Sequence, residues 1–169
     1  MRDFYRNLRR SNTIKKARPN ILFIVFDQMR ADALIGPLAD TIELPNFTQF
    51  KNESVSFLNH FSVTSPCGPA RASLLTGQYA MNHHSVRNGT PLAHDTSNLA
   101  KSLSSAGIEP LLYGYTDTSQ DPRMYEQGDP ILTSYEEVLN GFTEVQEMRF
   151  DTNKSWKNYL RGKNYKFDK

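Results

Sequence analysis

Thiols are almost absent from this chain: one cysteine, Cys67, in 169 residues. A single thiol excludes an internal disulfide and a zinc knuckle built from several thiolates. It gives no sign of a secreted disulfide scaffold, so a reducing cytoplasm is the default expectation. Long apolar runs are missing too. The longest, "ILFIVF" at 21–26, is strand-sized, far short of the roughly 20 residues a bilayer-spanning helix needs. Within the first twenty residues no continuous apolar stretch follows the charges, so they do not read as a secretory signal. No internal repeat and no low-complexity block occurs. The apolar share, 38%, is low but sufficient for a core, and the length suits one domain or part of a larger one.

What is present is unevenly distributed. The net charge of +2 conceals a basic segment, residues 1–18, with seven Lys or Arg against one acid; the remainder holds 13 basic and 17 acidic residues. The chain is thus a basic N-terminal tail, 1–18, on a mildly acidic body, 19–169. A solvated arm or an oligomer contact is the ordinary reading of such a tail, and contact with nucleic acid or an anionic surface is the alternative.

Along the body, strand and helix signals alternate. "NILFIVFDQ" lacks alternation and is rich in β-branched and aromatic residues, the pattern of a strand buried on both faces of a parallel sheet. "LPNFTQFKNES" predicts a short helix opened by Pro45. "VSFLNHFSV" alternates like a half-buried strand. "PARASLLT" predicts a helix with Pro69 in its first position, Cys67 just outside it and Gly77 at its end. "TSNLAKSLSSAG" predicts another, with Ser or Thr near its start and Gly107 after it. "IEPLLYGYT" is a further strand interrupted by Pro110, and "DTSQDPRMYEQGDP" is loop chemistry. "SWKNYLRGKNYKFDK" reads as a basic aromatic helix running to the chain end. This order implies an α/β fold with a mostly parallel sheet flanked by helices. In such sheets ligands sit beyond the carboxyl ends of the strands. Asp27, Cys67 and the run Tyr115–Asp117 each follow a predicted strand.

The thiol has unusual neighbours. In "SPCGPARASLLTGQY" it lies between two prolines, beside a glycine and four residues before Arg71. A helix N-terminus favours negative charge, whether a thiolate or a bound oxyanion. A helical turn brings Arg71 to the same side, and a planar guanidinium matches a tetrahedral oxyanion. Residue by residue, a small buried thiol near a surface arginine explains these features equally well. The four histidines suggest no chelating pair: His83 and His84 are adjacent and diverge, and His60 and His94 have no partner signal.

The run "CGPARASLLTG" resembles the signature of the type I sulfatases of the alkaline phosphatase superfamily, Cys-x-Pro-x-Arg followed by a short helix and Thr-Gly. The matching residues are Cys67, Pro69, Arg71, Thr76 and Gly77. The resemblance implies that Cys67 is oxidised to formylglycine by a separate maturation enzyme. The hydrated aldehyde, held on a divalent metal, would be the nucleophile toward sulfur or phosphorus, with Arg71 as its catalytic companion. "FDQMRAD" resembles the family's first metal-binding strand end, which makes Asp27 and Gln28 metal ligands beside the Cys67-derived group. Asp27 has the hard oxygen that Ca2+ or Mn2+ prefers, and Gln28 stands where most sulfatases have a second aspartate. "MNHHSVRN" and "GYTDT…DPR" are similar to the phosphonate monoester hydrolase and phosphodiesterase branch, with Asn88 and Tyr115 lining the substrate site. Asp117 occupies a place where threonine is usual.

The resemblance therefore implies hydrolysis of phosphonate monoesters, phosphodiesters or sulfate esters: a small anionic ester as substrate, no membrane and no nucleic acid, and a full-length form able to be a homo-oligomer. It covers only the N-terminal part of the family domain. The family's remaining metal ligands, an Asp-His pair, have no counterpart here, so the chain reads as a fragment, inactive alone. The alternative is a non-catalytic remnant or an anion-binding module.

Overall fold

The computed structural model describes residues 19–149 and 153–166. The basic segment 1–18 and the last three residues lie outside that range. The described residues fall into two units, one reaching to Ser54 and one starting at Val55. In chain order the helices are α1 (Asp32–Ile35) and α2 (Pro45–Asn52) in the first unit. The second holds α3 (Cys67–Thr76), α4 (Ala80–His83), α5 (Leu99–Ser105) and α6 (Lys154–Gly162). Two strands, β1 (Leu111–Gly114) and β2 (Thr143–Glu147), form one parallel pair. Helices with a parallel sheet give the α/β class expected. No helix among the described residues is long and apolar enough to cross a membrane.

The helices form where local chemistry is explicit. Pro45 opens α2, where its missing N–H costs nothing. Asn98 caps α5: its Oδ1 accepts from Lys101 N at 3.0 Å, and its Nδ2 donates to the Asn140 carbonyl at 2.9 Å. Thr96 and Ser97 stand just before this cap, near the helix start as expected. Gly77 ends α3 in the left-handed region, φ 70°, with its N–H on the Ser73 carbonyl. α3 begins earlier than predicted. Pro66 is its N-cap, Cys67 is its first residue and Pro69 its third. All of these are among the N-terminal positions whose N–H groups lack helical acceptors, so a proline at the third costs no ladder bond. α6 stops at Gly162, followed by Asn164 at φ 66°, so it does not continue to the chain end. The left-handed residue turns the chain out of the helix.

The strand predictions separate sharply. "LLYG" forms β1 directly after Pro110, as read. Its partner β2 carries no such signal: "TEVQE" has two charged residues in five and a single apolar one, Val145. Leu111 faces Thr143 and Leu112 faces Glu144, then the register slips so that Tyr113 faces Gln146. Arg149 ties the pair together, bonding both Glu144 and Glu137 and reaching the Gly114 carbonyl at 3.4 Å. By contrast, 21–26 and 55–63 form no strand. Ile21 and Leu22 are 83% and 84% exposed, Phe57 and Phe61 81% and 80%. A strand needs at least one neighbour to form a ladder, and a strand of parallel-sheet composition also needs a covering layer on each face. Among the described residues the only ladder joins β1 to β2, so neither run has one.

The apolar core is small. Leu75 of α3, Leu92 and Leu139 cluster together with Phe142 against them, and Ala72 and Ala100 are buried nearby. Full burial of each leucine contributes about 1.5–3 kcal/mol. Around it lies a larger set of buried polar side chains, including Ser73, His83, Asn98, Thr116, Asp117, Thr118 and Asp121. Buried polar groups are tolerable only when hydrogen-bonded. Asp121 accepts from the N–H groups of His94 and Arg123, both at 3.0 Å, and pairs with the Arg123 guanidinium. That guanidinium and the His94 N–H hold its carboxyl well below the usual carboxylate range.

Candidate active site

α3 presents Cys67 at its first turn, and the helix is held from behind by buried contacts. Pro69 is completely buried. Ser73 Oγ lies 2.9 Å from His83 Nε2, and the Ser85 N–H donates to His83 Nδ1 at 3.1 Å. The second bond makes Nδ1 an acceptor. The neutral ring then carries its proton on Nε2 and donates it to Ser73. Burial, first, pushes the His83 pKa down, consistent with a neutral ring. His83 is thus a packing residue bonded to backbone, as its adjacency to His84 suggested, and not a ligand.

Asn88 clamps the front of the same turn. Its Oδ1 accepts from the Gly68 N–H at 2.9 Å, and its Nδ2 reaches Cys67 Sγ at 3.2 Å. The first bond settles which end of the amide faces which partner. Gly68 leaves room for this clamp: a Cβ there would fall 2.8 Å from Asn88 Oδ1 and push the amide aside. One side chain therefore satisfies an N–H at the helix start and fixes the side chain of residue 67.

Arg71, one turn on, is held on several sides. Its Nε lies 3.2 Å from Asp117 Oδ2 and its NH1 donates to the Tyr115 carbonyl at 3.3 Å. Its guanidinium also sits over the Tyr115 ring, 5.0 Å from the centroid. The Arg71 and Asp117 side chains are only 13% and 3% exposed. A carboxylate oxygen of Asp117 also lies within 4.8 Å of Cys67 Sγ, so Asp117 sits beside both the thiol and the guanidinium. The sequence showed Asp117 as an additional carboxylate but not its partner. The usable signal was the charge itself, since a carboxylate beside a strand end in an arginine-bearing site needs a counter-ion when buried.

The loop that carries Asp117 is specified in detail. Thr116 and Thr118 both donate backbone N–H to the Glu137 carbonyl, at 3.2 and 3.3 Å. Thr116 Oγ1 donates to that same carbonyl at 3.0 Å and accepts from the Leu139 N–H at 2.7 Å. Asp117 itself adopts φ 54°, a left-handed conformation that aspartate tolerates better than most side chains. The bonds on either side impose it.

Four of the six predicted site residues, Cys67, Arg71, Asn88 and Tyr115, are thus brought together in the second unit, with Asp117 as a fifth. Asp27 and Gln28 belong to the first unit, at the turn after 21–26. Both are exposed and Gln28 is at φ 54°. They offer a carboxylate and an amide oxygen side by side, a donor pair suited to a hard divalent cation.

Comparison with known proteins matches this architecture. The Sulfatase family model covers residues 19–167. A phosphonate monoester hydrolase from Silicibacter pomeroyi is 56% identical with a TM-score of 0.79, over 90% of this chain and 30% of that one. The corresponding enzyme of Agrobacterium radiobacter is 43% identical with a TM-score of 0.76, over 87% and 29%. Among curated proteins, the multifunctional alkaline phosphatase superfamily protein PehA of Trinickia caryophylli is 42% identical over 133 residues, 76% of this chain and 26% of that protein. The chain spans roughly a third or less of the length of these relatives, and the structural neighbours give its α/β fold as alkaline-phosphatase-like. With its signature helix, its fold and nearly its whole length matched, the chain belongs to the sulfatase family of the alkaline phosphatase superfamily.

Proposed function

We propose that the protein hydrolyses phosphonate monoesters, phosphodiesters or sulfate esters through a formylglycine made from Cys67. The reading rests chiefly on one observation: Cys67 at the first turn of α3, clamped by Asn88 and lying within 4.8 Å of Asp117, which pairs with Arg71. A maturation enzyme, using an external two-electron oxidant, converts the thiol-bearing carbon to the aldehyde with the sulfur leaving as sulfide, and water adds to give a hydrate with two hydroxyls on one carbon. One hydroxyl oxygen attacks sulfur or phosphorus and the alcohol leaves. The second hydroxyl then loses its proton, the carbon–oxygen bond to the bound oxyanion breaks, and the aldehyde returns. An ordinary serine or cysteine has no second hydroxyl with which to regenerate itself.

The residues divide the work. Asn88 holds the residue-67 side chain in one rotamer. Arg71, fixed by Tyr115 and Asp117, places positive charge where the oxyanion develops. Asp27 and Gln28 would hold a divalent cation, Ca2+ or Mn2+. When bound, the cation lowers the pKa of the attacking hydroxyl and screens the ester oxygens. The single cysteine suits a reducing cytoplasm.

Tyr115 and Thr116 stand where a sulfate-binding lysine and an aromatic would be in sulfatases, which favours the phosphonate and phosphodiester branch. Turnover belongs to a full-length protein, since the chain spans about 30% of the matched hydrolases. Co-expression with a formylglycine-generating enzyme tests the central step. The Cys67 peptide should change mass from –CH2SH to –CHO and react with hydrazides. An unaltered thiol under conditions that convert a control sulfatase would refute it. Matched nitrophenyl esters then test the branch: a preference for aryl sulfate over aryl phosphonate in kcat/KM refutes the assignment without touching the formylglycine chemistry.

A further inference from the structure

We propose that Asp117 sets the charge selectivity of this site, offsetting one positive charge of Arg71 so that an ester monoanion is accepted and a dianion discriminated against. The inference rests on the hydrolase reading above and adds to it which anions the site takes.

The geometry carries it. Asp117 Oδ2 is 3.2 Å from Arg71 Nε, in a pair whose side chains are 13% and 3% exposed, so solvent screens the carboxylate weakly. A carboxylate oxygen is also within 4.8 Å of Cys67 Sγ, the atom whose place the nucleophilic oxygen takes. The negative charge is therefore close to any reacting phosphorus or sulfur. Nor can it swing away. Its backbone is fixed at φ 54° between two N–H bonds to Glu137, and Arg71 is braced by the Tyr115 carbonyl and ring. A carboxylate here repels a dianion by one more unit of charge than it repels a monoanion. That difference does not depend on how many other charges, a bound cation included, the site contains. At such separations one unit of charge corresponds to about tenfold or more in relative affinity. Phosphodiesters, phosphonate monoesters and sulfate esters are monoanions at neutral pH, whereas a phosphate monoester is predominantly a dianion.

A purely structural role, with Asp117 only holding Arg71 in place, makes a different forecast: weakening that hold lowers all substrates together. The deciding experiment compares kcat/KM for an aryl phosphonate monoester and the matched aryl phosphate monoester in the full-length, matured, metal-loaded protein. Asp117→Asn should raise the phosphate-to-phosphonate ratio about tenfold, and Asp117→Glu should keep the wild-type ratio. Equal falls for both substrates, with the ratio unchanged, would overturn the proposal.

A wild-type protein that hydrolyses neither ester would refute the hydrolase reading instead. Calorimetric binding of inorganic sulfate, a dianion, and dimethyl phosphate, a monoanion, then decides the role of Asp117 by itself. Asp117→Asn should strengthen sulfate about tenfold more than dimethyl phosphate, and an equal change in both would overturn it. If Asp117→Asn does not fold, Asp117→Thr takes its place in the same comparison: it should strengthen sulfate about tenfold more than dimethyl phosphate, and an equal change in both would overturn the proposal.

Discussion

The stretch from Cys67 to Arg149 and the apolar runs at 21–26 and 55–63 show two ways in which sequence encodes structure. In the first, nearly every buried polar group has a partner, and those partners come from helix caps, turns and one short parallel pair. In the second, strongly apolar residues stay exposed because no ladder among the described residues takes them up. A helix or a hydrogen-bonded turn closes its own bonds over a few residues. A strand closes none without a neighbour. Sequence signals for the first kind of element are self-sufficient, and signals for the second state a need that another segment must meet.

The sharpest test of this contrast is a core deletion. Leu139 is 3% exposed and packs with Leu75 and Leu92, and its N–H bonds the Thr116 hydroxyl. Leu139→Ala should destabilise by about 2–5 kcal/mol, the usual range for a buried leucine that leaves a cavity. Urea unfolding followed by circular dichroism would show the midpoint falling with an unchanged slope. A loss under about 0.5 kcal/mol would mean that this cluster is no more a core than the exposed runs are.

The next effect is a pH dependence. His83 donates to Ser73 and accepts from the Ser85 N–H, an arrangement that only a neutral ring can make. Its pKa is pushed down by burial, so between that value and the unfolded one of about 6.5 the unfolded chain binds more protons. The contribution is therefore complete above about pH 6.5 and is lost as pH falls through the depressed folded value. The urea midpoint should decline below about pH 6.5 in the wild type, and His83→Gln should flatten that decline. An identical slope in the variant would show that the ring is not the group responsible.

Much of the site is legible in the sequence. Cys67, Arg71, Asn88 and Tyr115 do converge, because the helix spacing that relates the first two is local and the others follow it in turns with strong signals. The Arg71–Asp117 pair was not legible. It spans a long stretch of chain, and one carboxylate in a polar loop gives no hint of which cation it will meet. The helix ends show the same limit on a smaller scale. Pro69 is equally acceptable at the first and third positions of α3, so composition alone could not say that Cys67 lies inside the helix. β2 was hidden for a third reason: its stability comes from pairing with β1 and from Arg149, while its own residues are those of an exposed loop.

The smallest expected effect tests the other half of the comparison. Phe57 and Phe61 lie in the alternating run "VSFLNHFSV", and both are about four-fifths exposed. Phe57→Ser removes little buried area and should change the unfolding free energy of the isolated chain by less than about 0.5 kcal/mol. The same substitution should improve solubility, since an exposed apolar run of strand composition promotes association between chains. Urea unfolding and light scattering on the 169-residue chain would measure the two quantities separately. A loss comparable with that of Leu139→Ala would mean that the phenylalanine is buried in solution and that the strand pattern in the sequence had found a partner after all. A neutral substitution in the isolated chain that becomes costly in a full-length protein would locate that partner in the added segment, the outcome that best fits an apolar run waiting for a ladder.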